Sequence, residues 1–272
     1  MAVETLEIES PVVVSQRSLG TSAPQLPRIS LLGIPVDNVT LPEAVEAIVD
    51  ALDGNEPMQV SFVNADCVNL AFRRADYRQA LVESDMVFAD GIGVRLAGKM
   101  MGQKVVDNVN GTDLFPVLAS ALEDTGKKIY LLGGKPGVAD DVALWLLNRF
   151  PGLEIAGYRD GYFSADEEEQ VIEDIRTSGA DLILVALGAP RQELWIRRVL
   201  PRLGVKVAIG VGGLFDFFSG RIPRAPRWIR EAGFEWAFRL YQEPGRLWKR
   251  YLIGNTLFLA RLAWVSYSSR SA

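Results

Sequence analysis

The sequence contains no histidine and one cysteine, Cys67, in 272 residues. That removes the commonest general base, imidazole metal ligands and histidine-dependent triads. It also rules out thiolate zinc clusters and disulfides within the chain. Proton chemistry near neutral pH is left to carboxylates, lysines, tyrosines or Cys67. The residues best suited to such chemistry follow short β-branched runs: Asn64-Ala65-Asp66, Asp90-Gly91-Ile92-Gly93, Gly133-Gly134-Lys135-Pro136-Gly137, Gly188-Ala189-Pro190-Arg191-Gln192-Glu193 and Gly212-Gly213-Leu214-Phe215-Asp216.

Each segment has a chemical reading and a local one. Asp90 can serve as a general base on a hydroxyl, or as the N-cap of the helix that follows. Gly133 and Gly134 let backbone N–H groups approach a diphosphate at a helix N-terminus; a tight strand-to-helix turn needs the same glycines. The loop is neither G-x-G-x-x-G nor a Walker A sequence, so an NAD-dependent oxidoreductase and P-loop chemistry lack their motifs. Gln192 and Glu193 could read a uridine base or sugar hydroxyls at a cleft, or form a solvated first helical turn in which Glu193 favours the helix dipole. Asn110-Gly111-Thr112-Asp113 reads as a turn entering a helix N-cap. No Asp-x-Asp metal motif is found, so no metal and no cofactor is expected. A diphosphate would then be neutralised by cations of the chain itself.

The C-terminal segment supplies cations. The net charge is −5, yet residues 221–272 hold ten basic and three acidic residues, a balance of +7 against −12 for the rest. A basic tail on an acidic body calls for an anionic partner. Arg239, Arg246 and Arg250 are spaced by seven and four, which places them on one face of a helix that runs through, with Glu243 beside them. Pro244 is the residue that would kink it. Trp228, Trp236, Phe238, Leu247, Trp248, Leu252, Phe258, Leu262 and Trp264 give the tail an apolar side. That side suits a membrane interface, packing against the core, or a second copy of the chain. The acidic body argues against nucleic acid. A non-catalytic membrane-surface scaffold would need only this tail and would leave the polar strand ends unexplained.

The elements that must position these residues alternate as in an α/β protein. Strands are predicted at Ile29–Val36, Gln59–Val63, Met86–Ala89, Lys128–Leu132, Glu154–Tyr158, Asp181–Leu187 and Lys206–Val211. Helices are predicted at Leu41–Leu52, Asp66–Glu83, Gly91–Met101, Asp113–Asp124, Val138–Phe150, Ala165–Ser178, Arg191–Leu200 and, with a break, Phe234–Trp264. Ser164 and Glu167 form a capping box for the sixth helix. Such alternation implies a Rossmann-like, mainly parallel sheet with helices on both faces, plus a C-terminal helical appendage. Ligands in such sheets sit beyond the carboxyl ends of the strands. Residues 1–27 read as a flexible arm, 28–220 as the α/β core, and 221–272 as the appendage. The N-terminus does not read as a secretory signal, and no apolar run reaches the ~18–20 residues of a spanning helix.

Taken in order, these segments, with Phe88-Ala89-Asp90-Gly91-Ile92-Gly93-Val94, Arg224-Ala225-Pro226, Phe234 to Leu240 and Gln242-Glu243-Pro244-Gly245-Arg246, resemble the WecG/TagA/CpsF family of glycosyltransferases from about Arg28 to Leu259. The resemblance implies metal-independent, inverting transfer from a UDP-sugar to a saccharide on a polyprenyl diphosphate, in surface or extracellular polysaccharide synthesis. It implies a cytoplasmic protein, peripheral on the inner face of the membrane. Asp90 matches the family's base. Arg224, Arg239 and Arg246 match appendage arginines that bind the diphosphate. Substrate contacts are expected from Asn64, Asp66, Asn110, Asp113, Gly133, Gly134, Gln192, Glu193, Gly212 and Asp216. Phe62 stands where many members have Thr near the sugar, so the donor stays open between an N-acetylhexosamine, glucose and another hexose.

Overall fold

A computed structural model describes residues 26–268; the arm expected at residues 1–27 lies almost wholly outside them. The strands are β1 (Arg28–Leu31), β2 (Ile34–Asp37), β3 (Met58–Val63), β4 (Met86–Ala89), β5 (Lys128–Gly133), β6 (Glu154–Arg159), β7 (Leu182–Ala186) and β8 (Val207–Gly210). They form one sheet in the order β1-β2-β4-β3-β8-β7-β5-β6. Only the β1–β2 pair is antiparallel. The single strand expected over Ile29–Val36 is in fact this hairpin. Leu32 (φ 54°) and Gly33 (φ 77°) both take the left-handed conformation of a two-residue turn. A leucine at its first position hides the turn inside an apolar run.

Strand alternation divides the core. On one face, Val60, Phe62, Phe88, Ile129, Leu131, Leu184 and Ile209 pack under α1 (Leu41–Leu52), α5 (Gly111–Leu122), α6 (Val138–Arg149) and α9 (Leu214–Phe218). On the other, Val63, Val87 and Ala89 meet α2 (Ala65–Ala71), α3 (Ala75–Val82), α4 (Ile92–Met100) and the last helix, α13 (Gly254–Ser268). Tyr130, Leu132, Ile183 and Ala208 meet α7 (Glu168–Ser178) and α8 (Arg191–Leu203). The chain leaves β3 toward α2 on one face and leaves the adjacent β8 toward α9 on the other. Divergent loops at neighbouring strand ends open the crevice where α/β sheets bind ligands.

The helix expected over Asp66–Glu83 is broken after α2 ends at Ala71, and Arg74, with an extended backbone (φ −132°, ψ 104°), starts α3. The helix expected over Ala165–Ser178 is α7 and begins at Glu168, with the Ser164–Glu167 hydrogen bond (2.8 Å) in the turn before it. The appendage departs further from a through-running helix. It comprises α10 (Arg227–Glu231), α11 (Glu235–Gln242), α12 (Pro244–Trp248), a π-helical turn (Lys249–Ile253) and α13. Glu243 (φ −129°, ψ 58°) breaks the path and Pro244 starts the next helix. Arg239 therefore lies on a different helix from Arg246 and Arg250, and their spacing does not place them on one face.

From Pro244 onward the helices join without a break, and α13 is docked. Phe258 and Leu262 are buried with the residues of α2 and α4. Gly93 makes room, since a Cβ there would lie 3.1 Å from the Ala65 side chain and 3.5 Å from Phe258. Asn69 Nδ2 donates to the Gly254 carbonyl (2.7 Å), Asn69 Oδ1 accepts from Arg261, and Arg261 stacks on Phe72 at 4.8 Å. The apolar residues of the tail are thus shared out: Leu247, Phe258 and Leu262 are buried, whereas Trp228, Phe234, Tyr241, Trp248, Leu252, Ile253, Leu259 and Trp264 are exposed. Among the described residues no helix is long and apolar enough to cross a membrane.

A buried Leu→Ala change typically costs about 2–5 kcal/mol. Leu262→Ala is therefore expected to lower the main unfolding transition of the whole chain, measured by denaturant melts, while Leu259→Ala on the exposed side leaves it nearly unchanged. If the two variants melt alike, α13 is not part of the common core.

Candidate active site

The crevice is built from helix caps. Asn64 Oδ1 accepts from the N–H groups of Asp66 and Cys67 (3.1 Å each), which caps α2, and its amide donates to Asp90 Oδ2 (3.3 Å). Asp90 follows β4, but it is not a cap: Gly91 (φ 92°) holds that position in α4 and no side chain caps the helix. The Asp90 carboxylate is thereby left for other work. Gly91 N–H is instead taken by Asn108 Oδ1. Burial pushes the Asp90 carboxyl above the ordinary aspartate range. The Asn64 hydrogen bond and the Arg250 and Arg239 charges pull it back, while Glu235 adds to the rise.

Asn110 does for α5 what Asn64 does for α2. Its Oδ1 accepts from Asp113 N (2.8 Å) and from Thr112 Oγ1 (2.7 Å), and its amide donates to Asp113 Oδ2 (2.6 Å). The other Asp113 oxygen accepts from Arg224 Nη2 (2.7 Å) and Arg230 Nη1 (3.1 Å). Burial opposes the Asp113 charge, but Asn110, Arg224 and Arg230 outweigh it and hold the carboxyl below its usual range. Arg224 also reaches Thr112 Oγ1 (2.9 Å) and Glu235 (3.5 Å). On the other side of Asp90, Arg250 from the π-helical turn pairs with Asp66 at 3.0 Å. A cavity of about 670 Å³, lined by Pro116, Val117, Trp145, Phe217 and Phe218, opens beside Arg224.

Arg239 is placed differently. Its guanidinium lies 4.8 Å over the Phe217 ring, close to Gly213, and its Nε is buried without a hydrogen bond among the described residues. A buried N–H without an acceptor favours a hydrogen-bond acceptor beside it. Asp216 is half-buried in the first turn of α9, on the same stretch of chain. The Gly133 backbone (φ 135°) passes so near β7 that a Cβ would meet the Ala186 carbonyl at 2.5 Å, and Gly134 (φ 73°) completes the turn toward α6. Gln192 and Glu193 are buried, not solvated, and Gln192 Oε1 accepts from Gly188 N–H (3.1 Å) and Gly212 N–H (2.9 Å).

Asn64, Asp66, Asp90, Asn110, Asp113, Arg224 and Arg239 thus gather around the crevice. The Arg246 side chain lies outside the described residues. From the sequence, Arg230 counts only toward the charge of the tail, and Arg250 only toward that charge and the helical spacing. The break at Pro244 is what re-registers the tail, and nothing in a helical period locates the carboxylates that Arg230 and Arg250 meet. Phe62 is closed into the core against Phe88, with ring centroids 6.0 Å apart, beneath Gly111.

Residues 29–272 match the family described as Glycosyl transferase WecG/TagA/CpsF. An N-acetylglucosaminyldiphosphoundecaprenol N-acetyl-beta-D-mannosaminyltransferase of Bacillus subtilis (strain 168) is 35% identical over 193 residues, which cover 71% of this chain and 74% of that protein. The enzyme of the same name from Bacillus spizizenii is 34% identical over 201 residues, covering 74% of this chain and 77% of its own. With a match that spans the sheet, the crevice and the appendage alike, the chain belongs to the WecG/TagA/CpsF family and is a glycosyltransferase.

Proposed function

We propose that the chain moves a hexose or N-acetylhexosamine from a UDP-sugar to a saccharide carried on a polyprenyl diphosphate, with inversion and without a metal ion. The observation that carries this reading is that Asp90, a half-buried carboxylate, lies within reach of the charges of Arg250 and Arg239, the latter with an Nε that lacks a hydrogen-bond partner among the described residues. The names of the two relatives, which transfer an N-acetylmannosaminyl group to an N-acetylglucosaminyl-diphospholipid, support the same chemistry here.

In this mechanism the acceptor hydroxyl gives its proton to Asp90 as its oxygen bonds to the anomeric carbon. The bond from that carbon to the UDP oxygen breaks on the opposite face, and UDP leaves with the electron pair. Burial makes Asp90 a stronger base than an exposed aspartate, and Asn64 aims it. Charge developing on the diphosphate is met by Arg239, assisted by Arg224, Arg230 and Arg250. Asp66 and Asp113 hold three of these arginines in place. The guanidinium groups are a counter-charge that the chain itself supplies. The exposed Trp248, Leu252, Ile253, Leu259 and Trp264 beside Lys249 favour work at the inner surface of the membrane that carries the acceptor.

Asp90→Asn should lower kcat by about 10²–10⁴-fold with UDP binding nearly intact; an active variant would remove Asp90 as base. Because only ionised Asp90 accepts a proton and its pKa is raised, the acid limb of kcat/KM should fall at a pH above the ordinary 3.8 of an aspartate. Arg239→Ala should cost about 10²–10³-fold in kcat, with Arg239→Lys recovering part of it. Turnover should persist in EDTA; loss of activity that magnesium or manganese restores would overturn the metal-free step.

A further inference from the structure

Gln192 and Glu193 occupy the first turn of α8 at 4% and 1% exposure. The Gln192 carboxamide makes three hydrogen bonds. Its oxygen takes Gly188 N–H (3.1 Å), from the loop that leaves β7, and Gly212 N–H (2.9 Å), from the loop that leaves β8. Its Nε2 donates to Glu193 Oε1 (2.8 Å). The donors fix its orientation: two backbone N–H groups require the oxygen, so the amine must find an acceptor, and Glu193 provides it. The neighbouring backbone is cut to fit. A Cβ on Gly210 would lie 2.8 Å from Gln192 Nε2 and 3.2 Å from its Cδ. Gln59 Nε2 reaches the Glu193 carbonyl at 3.3 Å and ties the same turn to β3.

We infer that Glu193 is a positioning residue: it fixes the Gln192 carboxamide so that one oxygen joins the β7 and β8 loops into a single wall of the crevice. The consequence for turnover rests on the UDP-sugar reading above; the tie itself does not. What the role requires is an acceptor oxygen, not a charge. Glu193 Oε2 makes no hydrogen bond among the described residues, and the carboxyl is close enough to Cys67 of α2 and Tyr77 of α3 for its charge to act on both. Burial pushes the carboxyl up to about 7, against the pull of Gln192. A proton taken up there settles on Oε2 and leaves Oε1 accepting. A glutamine can do the same, with its oxygen toward Gln192.

The test compares Glu193→Leu, Glu193→Gln and Gly210→Ala in the full chain. Amide hydrogen exchange at Gly188 and Gly212 is followed by NMR, and KM and kcat are measured for a panel of UDP-sugars. Glu193→Leu should lose exchange protection at both glycines and raise the donor KM about tenfold, with kcat changed less. Glu193→Gln should retain protection and a donor KM close to the wild-type value. Gly210→Ala, which displaces the carboxamide with Glu193 intact, should reproduce the leucine variant, and it carries the test alone if Glu193→Leu does not fold. Unchanged protection in Glu193→Leu and Gly210→Ala would overturn the tie, and a glutamine variant as impaired as the leucine one would show that the charge matters. If the wild-type chain turns over no UDP-sugar, the donor reading fails while the exchange data still decide the tie.

Discussion

Asn69 holds the two parts of the molecule together. It is buried at 4% exposure on α2, and it grips α13 at two points, through the Gly254 carbonyl and Arg261. A buried amide left unpaired is costly, so once α13 is present this contact fixes its position along α2. One turn earlier on α2 stands Asp66, and one turn earlier in the appendage stands Arg250. The register that satisfies Asn69 therefore also delivers Arg250 to Asp66, next to Asp90. The apolar closure of Phe258 over Gly93 secures the same register from the side of α4.

The charge asymmetry of the chain acquires a physical meaning in this arrangement. Long arginine side chains lose rotamer freedom when they bind, which opposes affinity. Here Arg224, Arg230 and Arg250 are already ordered by Asp113 and Asp66, both of which project from capped helix starts. The caps set the carboxylates, the carboxylates set the guanidinium groups, and the cost of ordering them falls on folding. Arg239 differs in forming no carboxylate pair among the described residues; its guanidinium lies over the Phe217 ring.

The parallel sheet and its polar strand ends were legible because each strand is an apolar run closed by Gly, Asn or Asp, and such runs follow directly from burial on both faces. Asp90, Asn64 and Asn110 could be placed at the crevice for that reason. Three things were not legible. The Leu32-Gly33 turn lies within a continuous apolar stretch, so periodicity gave no break. The path of the tail depends on where Pro244 restarts the helix and on the π-helical turn, neither of which fixes a partner in the core. The burial of Gln192 and Glu193 runs against their polarity. It becomes intelligible only once Gly210 is seen to leave space for the carboxamide, a contact between residues far apart in sequence.

Cys67 lies directly beneath this assembly, between the cap supplied by Asn64 and the carboxyl of Glu193. Burial, reinforced by that carboxyl, pushes its thiol up to about 11. At neutral pH almost none of it is thiolate, the form that reacts with oxidants and alkylating reagents. The folded protein is therefore chemically silent at sulfur through its one cysteine, and modification of that thiol reports on opening of the packing between α2 and the sheet.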